Sequence, residues 1–151
     1  MTFENPVFAT YVIAASILVL KVMAQGWMTV QRMLKVGGGF MSPEDEQKGL
    51  TNPEPRAGQL ELDDYVDRSR RIHHNDIENI PLFLVAGILF VLTEPPLWLA
   101  QVLFYGYVGT RLIHTVVYLR AMSHEVRATL WTPGSLIVIA LAGYSLFYAI
   151  A

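Results

Sequence analysis

The chain has no cysteine, which excludes disulfides, thiolate-held metals and a cysteine nucleophile. Charge is scarce as well. Asp, Glu, Lys and Arg make up 16% of the residues, and a net charge of −2 gives no case for a nucleic-acid partner. No basic stretch opens the chain, where Glu4 is the first charge, and no small-residue cleavage site follows the first apolar run. That run therefore reads as a membrane helix rather than a cleavable signal peptide. There is no internal repeat or low-complexity tract. The one glycine cluster, Gly37–Gly39, does not follow a strand, so it reads as a helix terminator and not a phosphate loop.

What fills the chain is apolar. Hydrophobic residues are 53% of the 151, and the mean hydropathy is +0.38. Long charge-poor windows separated by polar patches predict a multi-pass integral membrane protein of a single domain. Four helices are expected, at about 6–36, 64–92, 97–121 and 126–151, with short connections that suggest an all-α, antiparallel four-helix bundle. The first is longer than a bilayer requires, so its end should project. Pro81 should kink the second, and "TEPP" (Thr93–Pro96) should be a tight turn. The connector from about Phe40 to Asp64 reads as loop, with "SPED" (Ser42–Asp45) able to cap a short helical turn. Basic residues mark its flanks and the last connector: Arg32, Lys35, Lys48, Arg56, Arg68, Arg70 and Arg71, then Arg120 and Arg127. By the positive-inside rule both connectors face the cytoplasm, as in a multi-pass protein of the endoplasmic reticulum or a bacterial inner membrane.

The stretch "RRIHHNDIENIPLF" (Arg70–Phe83) brings many ionisable groups to the mouth of an apolar helix. Arg71, Asn75 and Glu78 share one helical face at i, i+4, i+7, with Arg68 a turn earlier. Glu78 lies at or below the membrane surface, where a carboxylate needs a cation or a water-filled cavity. The third helix offers Arg111, His114 and Tyr118 on one face, and Arg127 opens the fourth. An internal salt-bridge network explains any one of these arginines. For the whole set, Arg68, Arg71, Arg111 and Arg127 outnumber Glu78, Asp67 and Asp76, and surplus arginine in a partly desolvated place favours an external anion. A ligand with carboxylates and one ammonium suits several arginines plus one glutamate. Metal binding is disfavoured: His73 and His74 point about 100° apart on a helix and no HExxH pattern exists. Trp27, Trp98 and Trp131 read chiefly as packing and interfacial anchors.

Three motifs carry a family resemblance: "VDRSRRIHHNDIENIPLF" (Val66–Phe83), "VGTRLIHTVVYL" (Val108–Leu119) followed by Arg127, and "FMSPED" (Phe40–Asp45). In order and helix spacing the chain resembles the MAPEG family, the membrane-associated proteins of eicosanoid and glutathione metabolism. It is most similar to the branch of glutathione transferases and prostaglandin E synthases. The resemblance implies a homotrimer with glutathione as cosubstrate between subunits. It implies binding by Arg32 (from the adjacent subunit), Arg71, His74, Asn75, Glu78, Arg111, His114, Tyr118, Arg127 and Trp131. Glu78 would take the ammonium, and Arg32 and Arg71 the carboxylates. Arg111 would hold Glu78, and Arg127 would sit at the thiol. Asp45 is a second catalytic candidate, with a loop cap as its plainer role. The activity implied is glutathione transfer to lipophilic electrophiles, or reduction of lipid hydroperoxides, from the bilayer. The alternatives are isomerisation of a prostaglandin endoperoxide, disfavoured by Ala128 and Trp131, and a non-catalytic lipid-binding scaffold.

Overall fold

The computed structural model describes residues 2–151 and is all-helical among them, with four long helices and no strand. The helices are α1 (Pro6–Val36), α2 (Asp64–Val91), α3 (Leu97–Leu119) and α4 (His124–Ile150), with a 3₁₀ turn at Pro43–Glu46 in the first connector. Three of them, α1, α3 and α4, are long and apolar enough to cross a membrane. In α2 the same apolar half is preceded by three polar turns.

Three of the four long helices begin where a side chain takes up orphan N–H groups; α3 follows Pro96 without one. The Asn5 carboxamide oxygen accepts from the Val7 and Phe8 N–H groups at 2.9 and 3.1 Å, with Pro6 at the first helical position. Asp63 caps α2 through the Val66 N–H at 2.9 Å. Ser123 caps α4, which therefore starts at His124, two residues earlier than hydropathy alone suggests. α1 stops at Gly37, whose φ of +60° is the left-handed conformation that ends a helix and suits glycine. α2 runs through Pro81 as one helix. α3 ends at Leu119, two residues short of the apolar stretch, and Ala121 just beyond has φ +54°.

The connector is folded back onto the end of α1. Arg56 donates to the Val36 and Gly37 carbonyls at 2.7 and 3.2 Å, satisfying helix-end acceptors. Asn52 and Gln59 are buried and bond each other reciprocally at 2.8 and 3.0 Å. Arg70 donates to the Gly39 carbonyl at 2.5 Å. The Ser42 side chain makes no capping bond to the 3₁₀ turn.

Inside the bundle the core is aromatic. Phe83 stacks on Tyr107 with centroids 4.1 Å apart, and Phe104 meets Phe83, Phe90 and Tyr11 edge-on at 5.6–5.9 Å. Gly87 makes room for the Tyr11 ring: a Cβ there would lie 2.8 Å from Cε2. The ring oxygens reach backbone, Tyr11 donating to the Leu84 carbonyl and Tyr107 to the Asn79 carbonyl, both at 2.9 Å. Large side chains such as Leu20, Trp98 and Leu146 point outward and exposed, which suits lipid contact. Hydrocarbon solvates such residues as well as the core does, so close packing and hydrogen bonds must hold the helices to one another.

Candidate functional site

A cavity of about 710 Å³ lies between α1 and α2 at the connector end. Arg71, His74, Asn75 and Glu78 of α2 line it together with Tyr118 of α3. Gly26, Thr29 and Val30 of α1 form the facing wall, and Met41 and Asp67 sit at the rim. Its volume is that of a small-molecule site. Helical periodicity puts the α2 residues there, since i, i+4, i+7 positions share a face.

The charges are distributed differently from the sequence expectation. The Arg71 guanidinium bonds Asp64 at 2.7 Å and meets Asp67 at 3.3 Å; Arg68 bonds Asp64 at 2.5 Å. The surplus of arginine over acid is thus smaller than the residue count implied, because Asp64 joins in. Bonds from Arg71 first and Arg68 second hold the exposed Asp64 carboxyl below the usual carboxylate range. Glu78, 58% exposed, pairs with His74 Nε2 at 3.1 Å and not with Arg111. Arg111 is fully buried and donates from Nη1 to the Asn75 Oδ1 at 3.1 Å. The expectation that Arg111 holds Glu78 is therefore corrected. Arg111 lies one layer deeper, inside the bundle, and Glu78 lies on its outer face.

Behind the cavity, buried His114 meets the Tyr118 ring edge-on at 5.1 Å. The Arg127 guanidinium lies over the opposite partner of that contact, 4.6 Å from the centroid of Tyr118. Its Nε is buried and has no hydrogen-bond partner among the described residues. Trp131 Nε1 donates to the Asn79 Oδ1 at 3.0 Å, which ties α4 to α2 beside the site. Arg32 does not reach this cavity within its own chain. It donates to the Tyr65 carbonyl at 2.7 Å and lies 4.1 Å over that ring. Asp45 lines a separate cavity of about 200 Å³ with Val30, Met33, Leu34, Phe40 and Thr51.

Lys21 and Asp76, which the charge pattern of the site left out as a pair, meet across the bundle. Both side chains are buried, and they form an ion pair between α1 and α2. The signal was available: a lone lysine in the middle of a long apolar helix must find an acid at its own depth.

At one end of the membrane bundle this cleft sets titratable side chains of α2 and Tyr118 of α3 against a wall of α1. The chain belongs to the MAPEG family, whose sequence profile matches residues 8–147. It is similar to microsomal glutathione S-transferase 1 of Rattus norvegicus, 32% identical over 139 residues, covering 92% of this chain and 88% of that protein. The Bos taurus protein of that name is 34% identical over 140 residues, with the same coverage. Prostaglandin E synthase of Equus caballus is 30% identical over 131 residues, covering 83% of this chain and 78% of the synthase.

Proposed function

We propose that the chain is a membrane-bound glutathione transferase with peroxidase capacity, binding glutathione at the α1–α2 cleft on the cytoplasmic side. The supporting observation is the set Arg71, Asn75, Glu78 and Tyr118 around one 710 Å³ cavity, on a chain whose relatives include glutathione transferases. Glutathione carries two carboxylates, one ammonium and one thiol. Exposed Glu78 suits the ammonium, and Arg71 suits a carboxylate that displaces the exposed Asp64. Arg32, turned away from its own chain's cleft, is available to the cleft of a neighbouring subunit, and a homotrimer is the assembly proposed. His114 and Trp131 fix Tyr118 and Asn79 from behind.

The chemistry needs a thiolate, because a thiol is a weak nucleophile at neutral pH. The Arg127 guanidinium, packed on the cleft residue Tyr118, favours an anion beside it. The thiolate sulfur attacks an electrophilic carbon of a lipophile from the bilayer. A carbon–sulfur bond forms, and the leaving group departs with its electron pair. With a lipid hydroperoxide the sulfur attacks oxygen and the O–O bond breaks. A second glutathione then completes the balance, giving an alcohol, water and glutathione disulfide. Asp45 is assigned no step, since it lines another cavity.

The test is calorimetry of the purified protein with glutathione, followed by ultraviolet thiolate absorbance. Saturable binding with a thiolate signal at neutral pH is expected. Binding of lipid without glutathione would favour the scaffold reading.

A further inference from the structure

We propose that the buried Lys21–Asp76 pair is a positioning device: by holding the Asp76 carboxylate it leaves Arg111 on Asn75, which then turns its amide N–H groups toward the cleft. The inference rests on reading that cleft as the glutathione site.

Three charged side chains are buried inside the bundle here. Lys21 comes from α1, Asp76 from α2 and Arg111 from α3, and each is buried. Arg111 uses Nη1 on Asn75, while its Nε and Nη2 are buried without a partner among the described residues. Asp76 adjoins Asn75 in the chain, and both it and Arg111 are buried in the bundle. A carboxylate is a far better partner for a guanidinium than a neutral amide is. Arg111 nevertheless bonds the amide, because Lys21 already occupies Asp76. The same stretch of α1 also secures the backbone of α3. Gln25, one turn on from Lys21, bonds Thr115 at 3.3 Å, and the Thr115 hydroxyl donates to the Arg111 carbonyl at 3.0 Å.

The consequence falls on Asn75. A guanidinium only donates, so the oxygen of the Asn75 amide must face Arg111. Its Nδ2 has no partner among the described residues, and Asn75 lines the cleft. The cleft therefore meets a donor at this point, which selects a carboxylate or carbonyl and rejects an ammonium. Glu78, one turn further along, does the opposite. Together they set the direction in which a zwitterionic peptide can lie. Without Lys21, the bare Asp76 carboxylate would draw the Arg111 guanidinium away from its place beside Gly134, and Asn75 would lose its orientation.

The experiment is glutathione affinity by calorimetry across a mutant cycle, with thermal unfolding measured in parallel. Lys21→Met should weaken binding by about tenfold or more, yet add little when Asn75 is already alanine, because the effect passes through Asn75. Lys21→Met combined with Asp76→Asn leaves no carboxylate to draw Arg111 and should bind like wild type. Arg111→Lys keeps the charge of the layer but loses the fork. It should also weaken binding only when Asn75 is present, and it tests the same link should Lys21→Met not fold. Equal weakening with and without Asn75, no weakening, or no recovery in the double variant would overturn the proposal. Wild-type affinity in Asn75→Ala would overturn it too, along with the place of Asn75 in the site. Failure of the wild-type protein to bind glutathione would instead reject the function proposed for the cleft.

Discussion

Near the α2–α3 turn, the helices meet through rings: Phe83, Phe90, Phe104, Tyr107 and, from α1, Tyr11. Two to three turns along the same helices, they meet through Lys21, Asp76, Arg111 and Asn75. The aromatic layer is held by shape, and its Tyr11 and Tyr107 hydroxyls both donate to backbone carbonyls. The charged layer has a different economy. It leaves Arg111 donors idle and places an amide at the edge of a cavity. A buried ion pair adds little net stability compared with apolar residues of the same size, though breaking it is costly. The aromatic end is thus suited to holding the bundle and the charged end to aiming groups at a ligand.

The contrast can be broken from either side. The largest effect is expected from Phe104→Ala, which removes a fully buried ring touching three others. It should lower stability by about 3–5 kcal/mol, measured by unfolding in detergent, with glutathione affinity of the folded fraction unchanged. Weakened affinity at full stability would erase the distinction between the two layers. Glu78→Gln should do the reverse. Its side chain is exposed, so unfolding should be little changed, while glutathione binding should weaken by about 1.5–3 kcal/mol. Loss of assembly in that variant would make Glu78 a structural group.

Most of the bundle was legible in the sequence, because four apolar stretches bounded by Asn5–Pro6, Gly37, Asp63, "TEPP" and Ser123 carry their own start and stop signals. The shared face of Arg71, Asn75 and Glu78 was legible too, since helical spacing alone fixes it. Partners across helices were not. Spacing says which residues share a face of one helix, not how deep that face lies against another. Arg111 and Glu78 therefore looked like a pair, and Asp76 looked like one more acid of the site rather than the mate of Lys21. Arg32, expected from an adjacent subunit, and Asp45, from the "PED" motif, were placed by the family resemblance, which spacing within one chain cannot supply.

The smallest expected effect concerns Asp64, whose exposed carboxyl is held below its ordinary range chiefly by Arg71. A depressed folded value means that its contribution to stability is present above the unfolded value. It is lost as pH falls through the folded one. Asp64→Asn should therefore flatten the acid limb of an unfolding-versus-pH curve slightly. It should also tighten glutathione binding modestly by freeing Arg71. An unchanged acid limb and unchanged affinity would show that the Arg71–Asp64 contact is idle.

The central claim is that the charged end turns glutathione into a nucleophile, and the pH–rate profile of Arg127→Ala with a saturating electrophile tests it most directly. An adjacent cation lowers a thiol pKa by about 1–3 units. Removing the guanidinium should then leave glutathione bound through Arg71, Asn75 and Glu78. Turnover at neutral pH should fall by roughly tenfold to a thousandfold, at about 1.36 kcal/mol per unit. Part of the loss should return as pH rises and solvent deprotonates the thiol. A profile and rate equal to wild type would contradict the account and remove Arg127 from the chemistry.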